Sequence, residues 1–146
     1  MQIRSLSRKL RRFAELEYGD KSLFLRAVCW LAVARAWIAV VSFPKLAEKL
    51  NSDGGSSPAD PELLKRIRFA IGAAAGNVPW RSDCFPQAIA ANRLLQRHGL
   101  ASSIHLGVRK EDKQQLLAHA WLTSGDAVVT GGQDLDRFAE IHRLDG

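Results

Sequence analysis

The sequence predicts an α+β fold: helices first, then a cysteine-bearing helix packed on a small antiparallel sheet. Three observations carry this. Apolar residues recur at helical spacing up to about residue 98. From residue 102 the pattern changes to short, β-rich runs separated by polar turns. Between the early helices, "NSDGGSSPADP" (51–61) has the Gly, Ser, Pro and Asp content of a loop. A chain of 146 residues has room for one core. Residues 1–146 are therefore expected to form a single domain, with a basic helical lead-in over 1–50, a mobile loop over 51–61 and a core over 62–146.

Residues 5–17 set Leu6, Leu10, Phe13, Ala14 and Leu16 near one side and the basic residues largely opposite. "YGDKS" (18–22) interrupts this helix and offers a fresh start signal. "SLFLRAVCWLAVARAWIAVVSF" (22–43) has the length of a membrane span, but Arg26 and Arg35 interrupt it. Arg35 inside a bilayer costs about 2.5 to 3.5 kcal/mol. The expectation is a long helix buried on most sides, not a span, with Cys29 in the core between Val28 and Trp30. It stops before Pro44, and "FPKLAEKL" adds a turn or two.

"PELLKRIRFAIGAAAG" (61–76) reads as a helix with Pro61 in its first turn and Gly76 near its end. The next begins at "SDC", where Ser82 and Asp83 are capping residues and Pro86 is tolerable only in the first turn. Phe85, Ala88, Ile89, Ala91 and Leu95 share one side of it, Asn92 falls inside the same arc, and Gly99 ends it. "SSIHLGVRK" (102–110), "LLAHAWLT" (116–123) and "AVVTGG" (127–132) follow as a three-stranded meander joined by "EDKQQ" and "SGD". The tail is "DLDRFAEIHRLDG".

The net charge of +6 is unevenly spread. Residues 1–50 hold 10 Lys and Arg against 4 Asp and Glu, and the remaining residues hold 11 of each. The basic surplus suits an acidic peptide, an acidic protein face, nucleic acid or anionic lipid, or is simply a solvated helix face. No nucleic-acid-binding motif accompanies it, so a nucleic-acid partner is not expected. Two cysteines in unlike settings, and no signal-peptide pattern, suit a reducing compartment, the cytoplasm.

A cysteine at a helix start is placed for chemistry. Unpaired N–H groups and the helix dipole favour its thiolate, and the same N–H groups can donate to an oxyanion. Cys84 meets both conditions. His119, in "AHAW", is the candidate base, because a strand packed on the cysteine helix holds an imidazole in one orientation. Alternation puts Leu117, His119 and Trp121 on one face and Ala118, Ala120 and Leu122 on the other. His98, His105 and His142 are weaker candidates, and no zinc spacing emerges. A third group should orient the imidazole. If "SGD" is a three-residue turn, His119 faces Gly131, which has no side chain to offer. Asp126 then lies roughly 13 to 17 Å away at about 3.3 Å per residue. Asp134 is preferred because the chain past Gly131 can curl back toward His119, Asp126 is the alternative, and Asp136 and Asp83 are outsiders.

"DCFPQAIAANRLLQRHGLASSIHLGV", then "HAW", then "VVTGG" resemble the transglutaminase-like cysteine peptidase of lasso peptide biosynthesis, the leader peptidase related to the C-terminal part of microcin-processing proteins. The resemblance covers most of residues 8–140. It implies a papain-like order of Cys, His and Asp, and Cys84 and His119 carry over cleanly. Members often place the aspartate opposite the histidine, where this chain has Gly131, which leaves Asp134 as a substitute or Cys84 and His119 as a dyad. The resemblance further implies a precursor leader peptide as substrate, a separate small leader-recognition protein and a macrolactam-forming partner enzyme. Arg8, Lys9, Arg11 and Arg12 are a candidate docking surface for the recognition protein or an acidic leader. Trp80 and Trp121 are candidates to wall the cleft. No metal or organic cofactor is indicated.

Overall fold

The helical half follows its periodicity closely, and the sheet holds one strand more than the sequence suggests. The computed structural model describes residues 11–12, 14–51, 55, 57, 60–112 and 115–146. Arg8, Lys9 and most of the 51–61 loop lie outside these residues, as does most of the helix expected over 5–17. The elements are α1 (Tyr18–Val40), α2 (Phe43–Leu50), α3 (Pro61–Ala75), α4 (Cys84–Arg97), β1 (Ser103–Lys110), β2 (Leu116–Ser124), β3 (Ala127–Thr130) and β4 (Ala139–Asp145). The architecture is α+β.

Local chemistry sets the helix ends. Pro44 lies in the first turn of α2 and Pro61 opens α3, where a missing N–H costs nothing. Asp60 caps α3 by accepting from the Glu62 N–H at 3.0 Å. α4 ends before Gly99, whose φ of 70° is left-handed.

α1 is apolar nearly all round, yet it buries only one stripe: Leu23, Ala27, Leu31 and Ala34. Spacings of four, four and three residues put these on one face. α3 and α4 pack on α1, and two alanines in the stripe admit a close approach. The expectation of burial on most sides is corrected: Leu25 is 55% exposed and Val40 79% exposed. Cys29 is likewise exposed, not a core residue. It sits two residues past Ala27, about 200° round the helix at 3.6 residues per turn. Cys29→Ser should therefore change stability by no more than about 0.5 kcal/mol in a urea titration. By length and composition alone α1 could cross a membrane.

The sheet is antiparallel, in the order β3-β2-β1-β4. β4 corrects the expected three-stranded meander, since the tail pairs along β1 from Ser103↔Asp145 to Val108↔Ala139. Arg143 and the Ser103 hydroxyl both bond the Asp145 carboxylate, and the Ser103 bond chiefly holds that carboxyl below its usual range. The β2–β3 connection is a two-residue turn, Gly125 and Asp126, with Ser124↔Ala127 in register. A bulge then skips Val129 and pairs Leu122 with Thr130. Ile104, Ala120, Leu122, Val129 and Leu144 join the core with the helices. Asn92 is fully buried in α4 and donates to the Ser102 hydroxyl at 3.0 Å. This bond satisfies the amide nitrogen, while Oδ1 is buried with no partner among the described residues.

Candidate active site

Cys84 is the first residue of α4 and half-buried against the helix-side core. The first bond of the helix runs from the Gln87 N–H to the Asp83 carbonyl, at 3.3 Å. The Cys84 and Phe85 N–H groups precede that bond and Pro86 has none, so two donors stand free of intrahelical acceptors beside the thiol. Asp83 occupies the cap position, but its side chain does not cap. Its carboxylate pairs with Arg81 at 3.3 Å instead. The approach to the helix is held by Gln87, whose side-chain amide donates to the Ser82 carbonyl at 2.7 Å.

α4 packs along β2, the strand that carries His119. Alternation along β2 is as expected. Ala120 and Leu122 enter the core, while His119 and Trp121 share the other set, their rings 6.1 Å apart. Trp121 is 7% exposed, and a Cβ on Gly107 would lie 2.8 Å from its ring, so glycine opposite His119 makes room for the indole. His105 stacks on the other side of Trp121, with ring centres 5.3 Å apart. It is buried between Glu140, at 2.8 Å from Nδ1, and the Thr123 hydroxyl, at 2.9 Å from Nε2. His105 is therefore a fully partnered histidine that fixes Trp121.

His119 is half-buried. Phe138 covers it with ring centres 4.8 Å apart, and Arg109 lies over Phe138 at 5.1 Å. His119 Nε2 is 2.7 Å from the Gly131 carbonyl oxygen. A carbonyl can only accept, so Nε2 carries the proton and Nδ1 of the neutral ring keeps its lone pair. The ring is thus held in the tautomer that presents a base at Nδ1.

Gly131 does not sit across from His119 as a three-residue turn would require. The shorter turn and the bulge shift the register, and a Cβ on Gly131 would strike the Ala120 carbonyl and lie 3.0 Å from Trp121 Cα. Its backbone is left-handed, at φ 70°, and its carbonyl meets the imidazole. A side-chain search for the orienting group misses this acceptor, because a backbone carbonyl has no signature in residue type.

Asp134 has left-handed backbone, φ 52°, and precedes the 3-10 turn Leu135–Arg137. It is exposed, and its carboxylate makes no hydrogen bond or ion pair among the described residues. Asp126 is exposed in the β2–β3 turn. The Cys84 thiol and the His119 imidazole are not hydrogen-bonded to one another. Trp80 lies half-buried before α4, and its indole N–H has no acceptor among the described residues. No three His, Cys, Asp or Glu side chains converge as a metal site requires, among the described residues.

A family model described as the transglutaminase-like superfamily matches residues 27–143, well over half of the chain. No curated protein and no solved structure matches it significantly.

Proposed function

Because the chain belongs to the transglutaminase-like superfamily, which includes cysteine peptidases and acyltransferases, we propose that it is a cysteine peptidase that removes the leader from a ribosomally made lasso peptide precursor. The observation that carries the reading is Cys84 at the first position of α4, beside free N–H groups, on a helix packed along the strand of His119. The lasso assignment rests on the "DCFPQAIAANRLLQRHG" and "HAW" stretches. It brings with it a separate leader-recognition protein, a macrolactam-forming enzyme and a cytoplasmic setting. Arg11 and Arg12 are exposed and helical, and with Arg8 and Lys9 they would receive the recognition protein or an acidic leader.

In the proposed reaction His119 Nδ1 takes the Cys84 proton, and the thiolate attacks the carbonyl at the leader–core junction. The oxyanion is held at the first turn of α4, by the Cys84 N–H above all. His119 returns the proton to the leaving amine, which departs as the free N-terminus of the core peptide. Water, deprotonated by His119, then attacks the thioester and releases the leader carboxylate and the thiol. The Gly131 carbonyl keeps the imidazole in one tautomer throughout and stabilises the imidazolium.

The test is incubation of a candidate lasso precursor and its recognition protein with wild type and Cys84→Ala, read by mass spectrometry. Cutting by the wild type alone supports the reading. An adduct of a labelled amine on the leader would turn it to acyl transfer. A folded wild type that binds the precursor without cutting would favour a non-catalytic adaptor, the reading to which the unbonded thiol and imidazole lend support. With Gly131 orienting His119, Asp134→Ala and Asp126→Ala should each lower kcat/KM by no more than about tenfold. A loss on the order of 10⁴ in Asp134→Ala would give that carboxylate the orienting role.

A further inference from the structure

We infer that the exposed side of α1 is a docking groove for an acidic, amphipathic helix of a partner protein. A hollow of about 650 Å³ runs along α1 from Tyr18 to Val33 and is bounded by the end of α4. Its floor is apolar: Leu25, Trp30 and Val33, with Leu25 55% exposed. Its charged groups are Lys21, Arg26 and Arg97, and no acidic side chain lines it among the described residues. Arg97 is held in place over the Trp30 ring, 5.5 Å from its centre. A second hollow of about 260 Å³ adjoins it across Ser22 and Arg26 and adds Arg66 and His98. Among the described residues, Arg66 alone of these has an acidic partner, Asp20 at 2.7 Å.

Apolar floor and cationic sides together specify the occupant. It presents an apolar stripe flanked by carboxylates, the pattern of an amphipathic helix laid in a groove. The sixteen residues of α1 from Tyr18 to Val33 span about 22 Å, the length of roughly four turns of a second helix. A bilayer is the other apolar, anionic surface, but this face carries a hollow, and Arg26 and Arg97 line it. The groove lies at the far end of α4 from Cys84, about 20 Å away along thirteen residues of helix. An occupant therefore leaves the thiol open, and the inference does not depend on the peptidase reading.

The full chain with Cys84→Ser keeps Cys29 as its single thiol, and Cys29 lines the groove. The probe is a synthetic 18-residue helical peptide with leucines at i, i+3, i+4 and i+7, glutamates on both flanks and a fluorescein. A second peptide carries lysines in place of the glutamates. The glutamate peptide is expected to bind by anisotropy, more weakly as salt rises, and to slow iodoacetamide labelling of Cys29. Arg26→Gln with Arg97→Gln, both exposed positions, should weaken it by about tenfold or more while circular dichroism stays unchanged. Equal binding of the lysine peptide, binding without protection of Cys29, or no binding overturns the inference. So does protection of Cys29 by phosphatidylglycerol vesicles but not by the peptide, which would assign the face to lipid.

Discussion

Cys84→Ala is expected to abolish the proposed leader removal, by at least about 10³-fold in kcat/KM, in a protein that folds and still binds the precursor. The thiol is half-buried and makes no hydrogen bond among the described residues, so alanine removes one sulfur and leaves no polar partner stranded. What it removes from the proposed reaction is the nucleophile, for which nothing in the first turn of α4 can substitute. His119→Ala should cost a loss of similar order, and the two losses should not add, because the groups act as one unit. Near-wild-type cutting by folded Cys84→Ala would refute the mechanism outright. Cys29 would then have to be tested, although it is exposed on α1 and lines the groove.

Gly131→Ala should have the largest effect of any single methyl group added near the site. Left-handed backbone at φ 70° costs a non-glycine residue about 1 to 3 kcal/mol. The new Cβ would also strike the Ala120 carbonyl and crowd Trp121. A fall of several degrees in Tm is the expected reading for a chain of this size. The backbone must shift to relieve the clash, and the carbonyl that accepts from His119 shifts with it. The pH–rate profile should then move, and ring-nitrogen NMR should show His119 losing its preference for the Nε2–H tautomer. Gly132→Ala is the control, because that position has ordinary backbone and its Cβ would meet only the Val128 side chain, 3.2 Å from Cγ1. A lower Tm with profile and tautomer unchanged would make Gly131 a structural residue only.

The sequence shows structure where side-chain type carries the information, and hides it where the backbone does. Pro61, Gly76 and Gly99 punctuate the helices visibly, and the thiol and imidazole declare themselves by type and by element. In α1 nearly every position is apolar, so composition cannot say which face is buried, and Cys29, expected in the core, lies on the exposed side. β4 shows no apolar alternation, since Leu144 is its one buried residue. Its place is fixed by pairing with β1, which leaves no mark in residue type. The same holds for the two-residue turn and the bulge, which shift the β3 register, and for the carbonyl of Gly131.

β4 also sets the order in which the molecule can be completed. The β2–β3 hairpin closes over two residues, an event of microseconds. Joining β4 to β1 closes a loop of about thirty residues and costs more chain entropy before any contact is returned. Glu140, which holds His105 beneath Trp121, arrives with that strand, and Phe138, which covers His119, immediately precedes it. On a growing chain β1, β2 and the cysteine helix emerge first, with the imidazole uncovered on one side. His119 acquires its Phe138 cover only when β4 docks on β1.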